Sequence, residues 1–292
     1  MVLVLATGCA RPPESSPGEE RKESGSQLRL SWENNLLTIR ADDLPGGELK
    51  IWYLEAYCRG GSTDREWGET TIPHRTELVE ASEDGRSLRL RCRLPASKAG
   101  GDGAPQPPGV VVDHVIRASP GKVSFEVSAR NEGLEPVDVR WVQPCIRVDR
   151  FTGLGQKDYI RRSFIFTEKG LTRLDELPRA EEARYRGGQV YVPRGIDRDD
   201  VNPRPISSVV PANGLIGCFS ADGEKILATA WEPYQELFQG VIVCLHSDFR
   251  LGGLGPGESR RARGKLYVVD SEEELLGRYR RDFPEQLRRE SN

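Results

Sequence analysis

Three residues near the end of the chain, His246, Ser247 and Asp248, close an apolar run in the stretch GVIVCLHSDF, Gly240 to Phe249. In an extended strand His246 and Asp248 project to one face and Ser247 to the other. A carboxylate beside an imidazole raises the imidazole's pKa and fixes its tautomer, which suits acid–base work; the same pair can ligate a divalent cation. The structural alternative is a histidine satisfied by hydrogen bonds at a strand end. Val241 to Leu245 are apolar at every position, so the strand is expected to be central and covered on both faces.

Just upstream, WEPYQELFQG alternates Trp231 and Tyr234 with Glu232, Gln235 and Glu236. Sugars are held by aromatic faces against their C–H surfaces and by carboxylates or amides against their hydroxyls. That composition suits a glycan cleft, with Trp231 and Tyr234 stacking and Glu236 partnering His246; equally, the aromatics can pack a connection between strands. Arg147, closing QPCIRV, is placed to clamp an anionic group such as a uronic acid carboxylate, or to pair with Asp149. The loop GSTDREWGETTIPHR adds Arg65, Trp67 and His74, compatible with a cleft rim.

Asp197, Asp199, Asp200 and Asn202 crowd the stretch GIDRDDVNPRP, where their oxygens could ligate Ca²⁺. The spacing lacks the glycine and closing glutamate of an EF-hand loop, and an ordinary hydrogen-bonded loop is the simpler reading. No cofactor and no metal site is therefore expected. HExxH, GxSxG, GxxxxGK[ST] and GxGxxG are all absent, which removes support for zincin, α/β-hydrolase and nucleotide-loop chemistry. Only three histidines occur, His74, His114 and His246.

The elements that must position these residues are strands. LRLSW and LLTIRA form a hairpin across Glu33, Asn34 and Asn35; ELKIWYLEAYC follows. SLRLRCRL alternates leucine or cysteine with arginine, a period of two with one face buried. PASKAGGDGAPQPPG reads as an exposed loop. Further strands are VVVDHVI, KVSFEVSAR, VDVRWVQPCIRV, GLIGCFS, KILATAW and RRARGKLYVV, with SADGEK as a turn. One helix is predicted over 272–283: Ser271 and Glu274 have capping-box spacing, and Leu275, Tyr279 and Phe283 share one face. Arg278, Arg280 and Arg281 fall to its solvated side. The fold class is all-β, a large antiparallel sandwich with one C-terminal helix.

The chain has 292 residues, 37% of them hydrophobic, and a net charge of only −3 although 30% are charged. A core is available, and no global field points to nucleic acid or an anionic membrane surface. Cys58, Cys92, Cys145, Cys218 and Cys244 form no CxxC; Cys58 with Cys92 is the one disulfide considered, and small buried hydrophobes are the simpler reading for most. At the start, Ala6-Thr7-Gly8-Cys9 resembles the lipobox of bacterial lipoproteins, in which the cysteine is lipid-modified. The apolar stretch before it is shorter than the usual signal core of about 7–15 residues, and no basic residue precedes it. Residues 1–26 are thus expected to be a signal and flexible tether, and 27–292 one sandwich domain.

DHVIRASPGKVSFEVSARNEGLEPVDVRWVQPCIRV resembles the central strands of galactose-mutarotase-like supersandwich proteins, and GLGPGESRRARGKLYVV resembles their closing turn and strand. The chain also resembles exported bacterial proteins of unassigned activity. The mutarotase resemblance implies sugar binding and, in some members, epimerase, lyase or hydrolase chemistry. Its epimerase members use histidines and a glutamate, a pattern that does not map residue by residue onto this chain. The expectation is an exported, periplasmic or lipid-anchored protein that binds a neutral sugar or uronic acid. His246, Glu236 and Asp248 would be its acid–base group, with Trp231, Tyr234, Arg147 and Trp67 around the sugar. The alternative is a non-catalytic envelope lipoprotein serving protein interaction. Convergence of His246, Glu236, Trp231 and Arg147 on one concave surface separates the two.

Overall fold

The computed structural model describes residues 25, 27–95, 109–181, 183 and 188–286. Cys9 with the proposed tether, and most of the Pro/Gly-rich loop after Leu94, lie outside the described residues. In chain order the strands are β1 (Arg29–Glu33), β2 (Leu36–Arg40), β3 (Glu48–Cys58), β4 (Thr71–Ile72), β5 (Arg75–Ala81), β6 (Ser87–Leu94), β7 (Val110–Ser119), β8 (Lys122–Asn131) and β9 (Trp141–Arg147). They continue with β10 (Ser163–Thr167), β11 (Gly170–Arg173), β12 (Gln189–Tyr191), β13 (Ile216–Phe219), β14 (Ile226–Glu232), β15 (Tyr234–Gln239), β16 (Cys244–Arg250) and β17 (Ser259–Val269). Short helices α1 (Trp67–Thr70) and α2 (Asp149–Thr152) interrupt them, and α3 (Glu272–Asp282) follows the last strand.

Two antiparallel sheets result. The first runs β1-β2-β3-β9-β16-β15-β12, with β4 also on β3; the second runs β11-β10-β13-β14-β17-β8-β7-β6-β5. Leu37, Ile51, Tyr53, Val142, Leu245 and Phe249 from the first pack against Leu90, Val112, Phe125, Val127, Trp231 and Leu266 from the second. The expected all-β sandwich is the observed one.

Local chemistry explains much of this register. Asn34 and Asn35 both adopt left-handed φ, 50° and 62°, which closes the β1–β2 hairpin with the twist its strands need. On β6 every second residue is buried, Leu88, Leu90, Cys92 and Leu94, as the arginine alternation predicts. The Ser271 hydroxyl accepts the Glu274 amide at 3.2 Å and starts α3, whose Leu275, Tyr279 and Phe283 cover the outer face of the second sheet. Arg278 differs from expectation. It is 3% exposed, donates to Glu274 at 2.8 Å and to the Pro120 carbonyl at 3.2 Å, and so ties the helix to the β7–β8 turn.

Two other expectations are corrected. Gly240 to Val243 do not belong to the strand: β16 begins at Cys244, and Val241 and Ile242, 37% and 38% exposed, form the turn from β15. Cys58 and Cys92 lie on different sheets; all five described cysteines are free and buried.

Candidate functional site

The first sheet has a second, polar layer on its outer face. β9 and β16 are its central strands and are buried on both sides, by the sandwich core within and by loops without. Outward residues of β16 are Cys244, His246 and Asp248; Ser247 points the other way and donates to the Gly214 carbonyl at 3.1 Å. The shared face expected for His246 and Asp248 is therefore present.

Strand register extends the cluster. Glu236 on β15 sits opposite Asp248, and Phe238 opposite His246, with the two rings 4.9 Å apart. On the other flank β9 supplies Gln143 and Cys145. Pro144 between them has no N–H to give the ladder, and the β3–β9 pairing shifts register between Trp52 and Ala56. A bulge of this kind re-aims side chains. Here it brings Glu55 to the outer face, where its carboxylate accepts from the Gln143 amide at 2.9 Å.

The loop over residues 193–205 closes the layer. Asn202 donates its backbone N–H to both Glu236 oxygens, at 3.2 and 3.0 Å, and its side-chain amide to Gln143 at 2.9 Å. Its acidic neighbours are engaged: Asp200 accepts the Gly61 amide at 3.0 Å and pairs with Arg250 at 3.3 Å, and Asp197 accepts the Asp199 amide at 3.0 Å. These residues serve as a hydrogen-bonded lid on the sheet.

Glu55, Gln143, Asp248 and Glu236 thus form a row across four strands. Asp248, Glu236 and His246 are at most 1% exposed, whereas the Glu55 side chain is 20% exposed. Burial pushes the Glu236 carboxyl up to about 8; the Asn202 amide and His246 oppose the rise, and Asp200 adds to it. Asp248 is also raised well above the usual carboxylate range, by burial and by its neighbours Glu236 and Glu55. Neither Asp248 oxygen meets an N–H or O–H donor among the described residues, and a proton held on one of the two acids can bridge them. His246 is pulled down by burial but raised on balance by Cys145, Glu55 and Glu236. Its Nδ1 lies 3.9 Å from Asp248 and 4.0 Å from Glu55.

The remaining expected residues divide. Arg147 is on the same outer face, one rung beyond Cys145, and its Nε is buried without a hydrogen-bond partner. Trp67 caps the far end of that face, 6.4 Å from Trp141, beside a cavity of about 470 Å³. Tyr234 lines a separate cavity of about 680 Å³ with Glu232, Arg250 and Pro211. Trp231 is corrected outright. It is 1% exposed, on β14 of the opposite sheet, stacked on Phe249 at 4.2 Å, and offers no face to a ligand. The outer face does carry a tryptophan that sequence reading passed over: Trp52, 43% exposed, beside Cys145. Glu55 and Gln143 were also passed over; proline within an apolar run, as in WVQPCI, is the signal that marks them.

Fold and site together define a two-sheet antiparallel sandwich with a buried acid–imidazole layer outside one sheet. Solved structures similar to it are of galactose-mutarotase-like proteins. One from Clostridium acetobutylicum is 10% identical, with a TM-score of 0.45 over 85% of this chain and 99% of its own. Another from Lactobacillus casei is 9% identical, with a TM-score of 0.42 over 83% and 100%. An aldose epimerase homologue from C. elegans is 8% identical, with a TM-score of 0.40 over 85% and 100%. At these identities no residue role passes from them to this chain. No protein-family model and no curated protein matches it.

Proposed function

We propose that this chain binds carbohydrate against the outer face of its first sheet. The observation that carries the reading is the pairing, on one face, of an exposed aromatic and a half-open carboxylate. Trp52 offers an indole for a sugar's C–H surface, Glu55 an acceptor for its hydroxyls, and Arg147 a cation for an acidic sugar. Trp52 takes the stacking role first expected of Trp231.

Behind Glu55, Asp248 and Glu236 act as a proton store, and His246 Nδ1 lies 4.0 Å from the Glu55 carboxylate. In this reading epimerase- or lyase-like chemistry runs through Glu55, the acid that a bound sugar can touch, with the buried three as positioning residues. Cys9 remains the proposed lipid-attachment point of an exported, membrane-tethered sandwich. Among the described residues no helix is long and apolar enough to cross a membrane.

One observation favours the interaction-module alternative. Edge strand β5 exposes Leu78 and Val79, 44% and 46%, and pairs on its outer side with no strand among the described residues, leaving that edge for strand addition.

Tryptophan emission tests the sugar site. Trp141 and Trp231 are buried, so a sugar stacking on Trp52 should shift emission to the blue by drying the most exposed indole. Trp52→Ala should abolish the shift. A sugar-induced shift that survives in Trp52→Ala removes this face from the account.

A further inference from the structure

Cys145, Cys244 and His246 place one ligand atom each within 4.8 Å of one another, and all three are buried. The arrangement follows from the ladder: Cys244 and His246 are two apart on β16, and Cys145 stands across from His246 on β9. The Cys244 sulfur is 3.1 Å from His246 Nε2. Around a zinc ion with Zn–S about 2.3 Å and Zn–N about 2.0 Å, tetrahedral ligands are roughly 3.5–3.8 Å apart. Small side-chain rotations reach that spacing.

Two independent features point the same way. Nε2 faces the sulfurs, while Nδ1 has no hydrogen-bond partner and faces Asp248 and Glu55 at 3.9 and 4.0 Å. A histidine that ligates a metal through one nitrogen and gives its other N–H to a carboxylate is the usual outer-shell arrangement. Gly240 packs against the same two ligands: a Cβ there would lie 2.2 Å from the Cys244 sulfur and 3.0 Å from His246 Nε2, so only glycine lets both atoms sit there together. The Gly240 φ is not left-handed, so space rather than backbone conformation is what calls for glycine.

We propose that Cys145, Cys244 and His246 form a binding site for a thiophilic d¹⁰ cation, Zn²⁺ being the ion to test. Binding releases one proton from each thiol. The two thiolates neutralise the dication, so the buried site carries no net charge. His246 binds through neutral Nε2 and donates Nδ1–H toward Asp248 or Glu55. The site lies beneath the proposed sugar face and adjoins it through His246 Nδ1, 4.0 Å from Glu55, and through Cys145, the strand partner of Trp52.

Cobalt substitution tests it on the full chain, fully reduced under a non-chelating phosphine. One equivalent of Co²⁺ should give a thiolate-to-metal charge-transfer band and the strong visible bands of a tetrahedral site, both lost on adding Zn²⁺. Cys145→Ser and Cys244→Ser should each weaken Zn²⁺ binding by more than about a hundredfold, the upper end for loss of a mere supporting residue. Cys218→Ser, at a buried cysteine on the second sheet, should leave it unchanged. If either serine variant fails to fold, His246→Gln with intact cysteines replaces it and should remove the tetrahedral spectrum. Absence of a thiolate band in the reduced protein, or wild-type Zn²⁺ affinity in the Cys145→Ser and Cys244→Ser variants, overturns the proposal.

Discussion

Glu236→Gln is expected to make the protein more stable than the wild type at about pH 8 while changing it little at about pH 5. Glu236 is fully buried, and its pKa is pushed up to about 8 from an ordinary 4.5. Between those values the folded protein holds a proton that the unfolded chain has released. Stability from this group is complete below the unfolded pKa and is lost as pH rises toward the folded one. The loss is about 1 kcal/mol per pH unit within that window. Glutamine mimics the protonated acid and carries no such cost, so the gap should widen in its favour as pH rises.

His114 supplies the opposite slope at acid pH and makes an internal control. It is 1% exposed between the Tyr53 and Tyr57 hydroxyls, at 3.1 and 2.9 Å, and burial pulls its pKa down to about 3. Below the unfolded value of 6.5 the unfolded chain takes up a proton that the fold refuses, so stability falls with falling pH. Between about pH 4.5 and 6.5 the two slopes oppose each other in the wild type, so Glu236→Gln should lay bare the His114 slope there. Chemical denaturation of wild type and variant from about pH 5 to about pH 8 reads both effects. A constant difference across the range would mean that Glu236 is not a buried, protonated acid.

The second large effect is on packing. Trp231→Ala should destabilise the protein by about 3–5 kcal/mol, the range for emptying a large aromatic site in a core. Trp231 stacks on Phe249 at 4.2 Å, tilts against Phe125 at 5.4 Å and lies 6.5 Å from Tyr53, joining the two sheets. Opposite it on β17 stands Gly264, where a Cβ would meet the indole at 2.5 Å; the ring fills the space that the glycine leaves. The expected fall in melting temperature is on the order of 10 °C. Were Trp231 instead a sugar platform, the variant would melt normally and lose only ligand response. Differential scanning calorimetry with and without sugar separates the two.

The error over Trp231 has a physical origin. In WEPYQELFQG Trp231 and Tyr234 are expected to stack on one sugar, yet the chain leaves the second sheet at Glu232 and enters the first at Tyr234. Crossing at Pro233 changes which side of the run faces the core, and no period in the residues records the crossing. Gly240 to Val243 mislead for a related reason: apolar residues in a hairpin turn read like strand. Where one face is wet the sequence is clear, as in the leucine–arginine alternation of β6, the Asn34-Asn35 turn and the Ser271 cap. The pair His246 and Asp248 was legible because polar residues interrupt an apolar run. Glu55 was not, since its place depends on a register shift set by Pro144 on a strand that follows some 90 residues later.

A thermal-shift screen of neutral sugars, uronic acids and oligosaccharides, run on wild type beside Glu55→Gln, tests the central claim most directly. A ligand at about 100 times its dissociation constant adds about 2.7 kcal/mol, which for a chain of this size raises the melting temperature by roughly 5–10 °C. The account predicts such a rise for one class of sugar in the wild type and its loss in a normally folded Glu55→Gln. The same rise in both proteins, or no rise with any sugar, would contradict it.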